Sequence, residues 1–342
     1  MLNTLKILCS LSGVSGWEDE VRDYILQRAL PQADEVETDA LGNLYIFKKG
    51  AAAPARPIMI CAHMDEVGLI ITGIDDDGFL RFGFVGGVDR RVVLGKRVFV
   101  GPDAVPGVIG LKPKHLCTDE EMENTVPALE SLYVDIGAAS ADEAREKVRL
   151  GDRGVFDPTV FEFGDGLLKA KALDDRVGCA AALKVLEKDL PMDTWFVFSV
   201  QEELGSRGAA VAAERIRPAY SIILEGTTAA DVGGVSHGQE ICYLGRGPVI
   251  PFMDRGTIAP RDFWERVTAI ATENGIPWQV KEKIAGGTDA SAIQRRCVGA
   301  KVITISAPLR NIHSPASVGK LSDIEPIPRL CALVLEELSR GF

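Results

Sequence analysis

Ile58-Met59-Ile60-Cys61-Ala62-His63-Met64-Asp65 is an unbroken apolar run that ends in an imidazole and an acid. A small Ala/Pro linker at 50–57 precedes it, so the run reads as a strand buried on both faces, as in a parallel sheet. Upstream, Leu5, Leu8 and Leu11 and then Val21, Ile25 and Leu30 recur at helical spacing, broken at Gly13-Val14-Ser15-Gly16. The segments at 36–39 and 44–47 flank Leu41-Gly42-Asn43 as a hairpin would.

Downstream the pattern changes. From about Gly68 to Phe163 short β runs (78–82, 96–100, 107–110, 132–136) are separated by Gly, Asp and Pro, and the best helix signal is 141–150. After about Gly164 strands and helices alternate. Strands are expected at 169–173, 195–200, 221–224, 278–281 and 301–305. Helices are expected at 176–190, 208–216, 261–274, 289–296 and 323–339. The two α/β stretches, 1–68 and 164–342, are expected to form one domain, with a small β-rich domain at 69–163 inserted between them.

Composition bounds the function. The chain has 342 residues, 49 Asp+Glu against 38 Lys+Arg and a formal net charge of −11. Such a length can bury an ample core without a stabilising metal or disulfide. No basic stripe invites a nucleic acid, and no apolar run reaches the ~18 residues of a membrane span. Seven scattered cysteines without a Cys-x-x-Cys agree with a reducing compartment, so the expected location is cytoplasmic. Imidazole chemistry can come only from His63, His115, His237 and His313.

Ligands of an α/β sheet gather at the carboxyl ends of its strands. There the sequence places His63 and Asp65, Asp174 and Asp175, Glu202 and Glu203, Glu225, and His313. Residues two apart on a strand share a side, so Asp65 can take the ring N–H of His63 and fix its tautomer. Taken singly, each motif has a plain structural reading: a satisfied core histidine, or paired acids that cap a helix. Together they are enough for a pair of metals with one bridging carboxylate, which could activate a water and polarise a carbonyl. Imidazole and carboxylate ligands without thiolates suit zinc, cobalt or manganese.

The segments CAHMDEVG (61–68), VGGVD (85–89), GVIGLKPKH (107–115), LYVDIGA (132–138), KALDDRVG (171–178), QEELGSRGA (201–209), LGRGPVI (244–250), GGTDA (286–290) and RNIHSPASV (310–318) closely resemble, in order, those of the tetrahedral (TET-type) aminopeptidases. These include glutamyl and deblocking enzymes. The resemblance implies a mixed sheet flanked by helices, with an inserted small β-barrel or PDZ-like dimerisation domain. It implies two divalent metal ions per subunit, peptide substrates, and dimers that assemble into a hollow dodecamer. His63 and His313 would be terminal ligands and Asp174 the bridge. Glu203 would be a further ligand and Glu202 the general base for attack by the activated water. Asp65 would orient His63, Asp175 would not be a ligand, and Gly287, Thr288 and Asp289 would lie near the substrate. Glu225 falls where most members have Asp as the last ligand, which puts the geometry and metal preference of that position in question. His115 is expected to be structural or at an interface, and His237 on the surface.

Two other readings stand beside this one. An endoglucanase-type glycosidase would use paired carboxylates, sugar-binding aromatic platforms and no metals, although only 6% of the residues are aromatic. A catalytically impaired assembly homologue would keep the fold and lose the chemistry through Glu225.

Overall fold

Apolar runs that cannot face water on either side must be sandwiched between layers, and this chain sandwiches them between helices. The computed structural model describes residues 1–119, 126–236 and 238–341. Its first strands are β1 (Glu35–Thr38), β2 (Leu44–Lys48) and β3 (Ile58–His63). Then come β4 (Gly68–Ile74), β5 (Leu80–Val85), β6 (Arg97–Val100), β7 (Val105–Gly110), β8 (Tyr133–Asp135) and β9 (Arg153–Phe156). The last are β10 (Phe161–Phe163), β11 (Leu167–Ala170), β12 (Thr194–Ser199), β13 (Tyr220–Thr228), β14 (Lys301–Arg310) and β15 (Ser317–Lys320).

Among the described residues these form a nine-stranded mixed sheet, ordered β1-β2-β12-β3-β13-β14-β15-β11-β10, and a closed barrel, β4-β5-β8-β7-β6-β9. In the sheet, β3 runs parallel to β12 and β13, and β13 parallel to β14. Two antiparallel steps, β14–β15 and β15–β11, return β11 to the same direction. The carboxyl ends of β3, β11, β12, β13 and β14 therefore share one edge.

Alternate residues of the central strands enter different cores, as the two-residue period requires. Ile58, Ile60, Phe196, Phe198, Ile222, Leu224, Ile303 and Ile305 pack with the helices Leu2–Ser10, Asp19–Ala29, Leu173–Leu186, Arg261–Glu273 and Ile327–Ser339. On the other face, Met59, Cys61, Val197, Ile223 and Val302 meet the helices Arg207–Ile216 and Ala290–Gln294. The barrel has its own core, built on Leu69, Ile71, Phe82, Val98, Val134 and Phe156.

Several boundaries differ from the sequence expectation. β13 runs past Leu224 to Thr228 because its pairing with β14 continues through Glu225↔Ser306 to the end. Segment 278–281 is no strand; a single bridge, Val249↔Gln279, stands there. Phe161–Phe163 pairs with β11 in the large sheet. The last helix starts at Ile327, behind a separate turn at Leu321–Ile324. All seven cysteines are free thiols, five of them buried. His115 is exposed on the short turn Lys114–Leu116, and His237 lies outside the described residues.

Candidate metal centre

The shared carboxyl edge collects the site. His63 is the last residue of β3 and is buried. Its Nδ1 lies 3.1 Å from the carbonyl oxygen of Asp65. A carbonyl can only accept, so Nδ1 carries the proton and Nε2 is left as a ligand atom. His313 is arranged in the same way by the barrel: its Nδ1 donates to the carbonyl of Gly87, in the loop after β5, at 3.0 Å.

Asp174 lies between the two free nitrogens. Its Oδ1 is 3.4 Å from His63 Nε2 and its Oδ2 3.3 Å from His313 Nε2. Glu225 Oε1 stands 3.2 Å from His63 Nε2 on one side, and Glu203 Oε2 3.3 Å from His313 Nε2 on the other. Two triads that could each hold a metal ion result, His63–Asp174–Glu225 and Asp174–Glu203–His313, joined through Asp174. The extra methylene of Glu225 does not carry its carboxylate away from the group.

Of the paired acids, Asp175 takes the structural role. It accepts the backbone N–H of Gly178 at 2.8 Å, just past the non-helical backbone at Asp174 and Asp175 inside the helix Leu173–Leu186, and that of His63 at 3.1 Å. Asp65 does more than the sequence implied. Its carboxylate accepts the backbone N–H groups of Glu202 (2.8 Å) and Glu203 (3.1 Å) and the Ser15 hydroxyl (2.6 Å), while standing 3.4 Å from His63 Nδ1. Three of the connecting loops pass through left-handed backbone at non-glycine residues: Ala172, Gln201 and His313 itself. Such conformations persist only where the surroundings over-determine them, and they gather at functional sites.

The electrostatics are those of a cluster holding more carboxylate than its burial tolerates. Burial, reinforced by neighbouring acids, pushes Glu202 and Glu225 well above the ordinary carboxyl range and Glu203 up to about 8. Burial also raises Asp174, but the His313 and His63 imidazoles beside it outweigh burial and hold that carboxyl far below the usual range. Burial opposes charge on both imidazoles. Acidic neighbours prevail, raising His63 well above its usual value and His313 to about 9. Asp174 Oδ1 and Glu203 Oε1 are buried without hydrogen-bond partners. Divalent cations fit this set: they would fill both orphaned positions and replace the shared protons.

Beside the ligands lies a cavity of about 750 Å³. Its wall includes Glu202, Glu203, His313, Ser206, Gly287 and Thr288, together with the exposed Arg295 and Arg296. Asp289 lies beneath, 1% exposed, accepting from Ser199 Oγ at 2.5 Å. Ser15, Ser206 and the Gly87 carbonyl are site components that the sequence reading did not include. Only the serine at a break between helices and the glycine pair hinted at special backbone there.

Fold and site together define a hydrolase of the peptidase class. The chain belongs to the M42 glutamyl aminopeptidase family, whose model matches residues 42–330. Membership in this metallopeptidase family implies divalent metals. Among solved structures, an aminopeptidase from the archaeon Desulfurococcus kamchatkensis is 39% identical, covers 98% of this chain and 94% of its own, and superimposes with a TM-score of 0.92. The TET1 peptidase of Pyrococcus horikoshii is 34% identical, with 98% of each chain covered and a TM-score of 0.85; it is described as assembling into a tetrahedron or a large octahedral shell. A Thermotoga maritima protein described as an endoglucanase is 37% identical, with 98% of this chain and 97% of that one covered and a TM-score of 0.81.

Proposed function

We propose that the protein is a co-catalytic di-metal aminopeptidase that removes N-terminal residues from peptides. The observation that carries this is the position of Asp174, one carboxylate oxygen toward each histidine Nε2, with Glu225 and Glu203 completing a triad on either side. His63, Asp174, Glu225, Glu203 and His313 would hold two ions, of zinc, cobalt or manganese, as suits imidazole and carboxylate donors. Bound there, such ions polarise the scissile carbonyl and make water a better nucleophile. Glu202 belongs to neither triad and faces the cavity. It takes the proton of the attacking water and returns it to the departing amine. Asp65 orients His63 and holds the backbone of Glu202 and Glu203. Gly287 and Thr288, with Asp289 behind them, form the substrate side of the cavity.

The same reading takes 1–68 and 164–342 as the catalytic domain. The segment 69–163 is a dimerisation domain, with dimers building a dodecamer in the cytoplasm. An endoglucanase reading has the Thermotoga maritima relative in its favour. However, among the described residues no Phe, Tyr or Trp lines the cavity to offer a sugar a stacking platform. The reach of Glu225 to His63 speaks for an intact rather than an impaired centre. The deciding experiment strips the protein of metal and assays a panel of aminoacyl-anilides with zinc, cobalt or manganese restored. No hydrolysis anywhere in the panel would refute the proposal.

A further inference from the structure

The segment Gly13–Glu18 lies between the first two helices and outside the 42–330 matched by the family model, yet it reaches the loops that follow β3 and β12, beside His63 and Glu203. Val14 bridges Glu66 in parallel. The backbone N–H of Glu66 donates to Gly13 O at 2.9 Å and that of Ser15 to Glu66 O at 3.3 Å. Ser15 is 2% exposed, and its hydroxyl donates to Asp65 Oδ2 at 2.6 Å. Glu18 is 3% exposed, and its Oε1 accepts the N–H of Gly16 at 2.7 Å and of Gln201 at 3.2 Å. Gln201 is the left-handed residue immediately before Glu202, so its backbone needs an outside partner to stay in place.

We propose that residues 13–18 are a strap that positions the metal centre: Ser15 sets Asp65, Glu18 sets Gln201, and together they hold the spacing between His63 and the Glu202–Glu203 pair. These are positioning residues, acting through groups that themselves orient ligands. A buried hydroxyl on a carboxylate gives it direction as well as stability. Without it the Asp65 carboxylate keeps its two backbone donors but is free to swing toward them and away from His63. A carboxyl or an amide at position 18 offers the acceptor that Gln201 requires, whereas a methyl group does not.

The proposal rests on the di-metal reading, and the test separates the two. Wild type, Ser15→Ala, Glu18→Ala and Glu18→Gln are each stripped, and zinc affinity is measured by competition with a chromogenic chelator, apart from any assay of turnover. Thermal melting and then kcat and KM on an aminoacyl-anilide follow. Zinc affinity should fall about 10-fold in both alanine variants, the range for lost partners of metal ligands. Their kcat should fall while KM stays within about twofold, and Glu18→Gln should match wild type in zinc affinity, kcat and KM. Alanine variants with wild-type zinc affinity and kcat would overturn the strap, as would a well-folded Glu18→Gln that falls as far as Glu18→Ala. A wild type that binds no divalent ion would instead refute the metal centre.

Discussion

Glu202→Gln separates the proton-transfer role from the ligand role more cleanly than any other single change. The two triads exclude Glu202, whose Oε2 stands 4.0 Å from His63 Nε2. Its Oε1 takes the Ser206 hydroxyl at 3.4 Å, a contact that an amide oxygen can keep. Burial and the acids Asp289, Glu203 and Asp174 already disfavour its charge, so an uncharged isostere costs the fold nothing. What is lost is the base. A positioned general base contributes about 10²–10⁴-fold, or roughly 3–5 kcal/mol of barrier. The variant should therefore hold as much metal as wild type by elemental analysis and melt no earlier. Its kcat and kcat/KM on an aminoacyl-anilide should both fall by about 10²–10⁴-fold. Retained activity would remove Glu202 from the mechanism. Loss of one ion per chain would make it a ligand and overturn the assignment of Glu203.

Three further outcomes are expected. Treatment with EDTA should abolish peptidase activity, zinc, cobalt or manganese should restore it, and the melting temperature should drop with the lost binding free energy, about 2.7 kcal/mol per site at a free-ion level 100 times Kd; activity that survives chelation would favour the glycosidase. Burial, reinforced by Asp65 and partly offset by N–H bonds from Gly16 and Gln201, raises Glu18 to about 7 from a carboxyl's 4.5, so its contribution to stability is complete below pH 4.5 and lost as the pH rises through 7. Denaturant titration of the stripped protein should show Glu18→Gln gaining about 3 kcal/mol relative to wild type across that window, and a pH-independent difference would refute the shift. Gly178→Ala should destabilise by about 1–3 kcal/mol or more, because a Cβ would meet the Asp175 carboxylate and the Leu224 carbonyl where the helix Leu173–Leu186 lies on β13; an unchanged urea midpoint would disprove that packing.

The central strands were legible because burial on both faces demands mostly apolar residues, and Ile58–Ala62, Trp195–Val200 and Val302–Ile305 supply them with only Ser199 and Thr304 polar. Their ends were less so. Glu225 reads as a residue beyond its strand, yet ladder bonds to β14 carry the strand past it, and no local preference announces that. Conversely, β-favouring side chains at 278–281 did not make a strand where only one bridge partner was at hand. The clustering of acids and histidines after successive strands was legible too, because parallel strands bring their carboxyl ends to one edge.

The division between Asp174 and Asp175 shows where one-dimensional reading ends. Both are acids at a helix start, and either could cap it. Only the folded chain puts Asp175 against the N–H groups of Gly178 and His63 and leaves Asp174 between two imidazoles. Ser15 and Glu18 show the same limit at longer range: a hydrogen bond between residues 50 or more positions apart leaves no trace in a single sequence.

By itself, then, the sequence determined the layered α/β class, the inserted β-rich stretch and the short roster of groups able to bind a cation, because hydrophobic periodicity and residue chemistry are local properties. Only the tertiary structure shows which ring nitrogen of each histidine faces Asp174, how that acid lies between the two imidazoles, and which distant segment reaches the loops. Those depend on distances of about 3 Å, set by packing the whole sheet, the barrel loop at Gly87 and the N-terminal strap against one another.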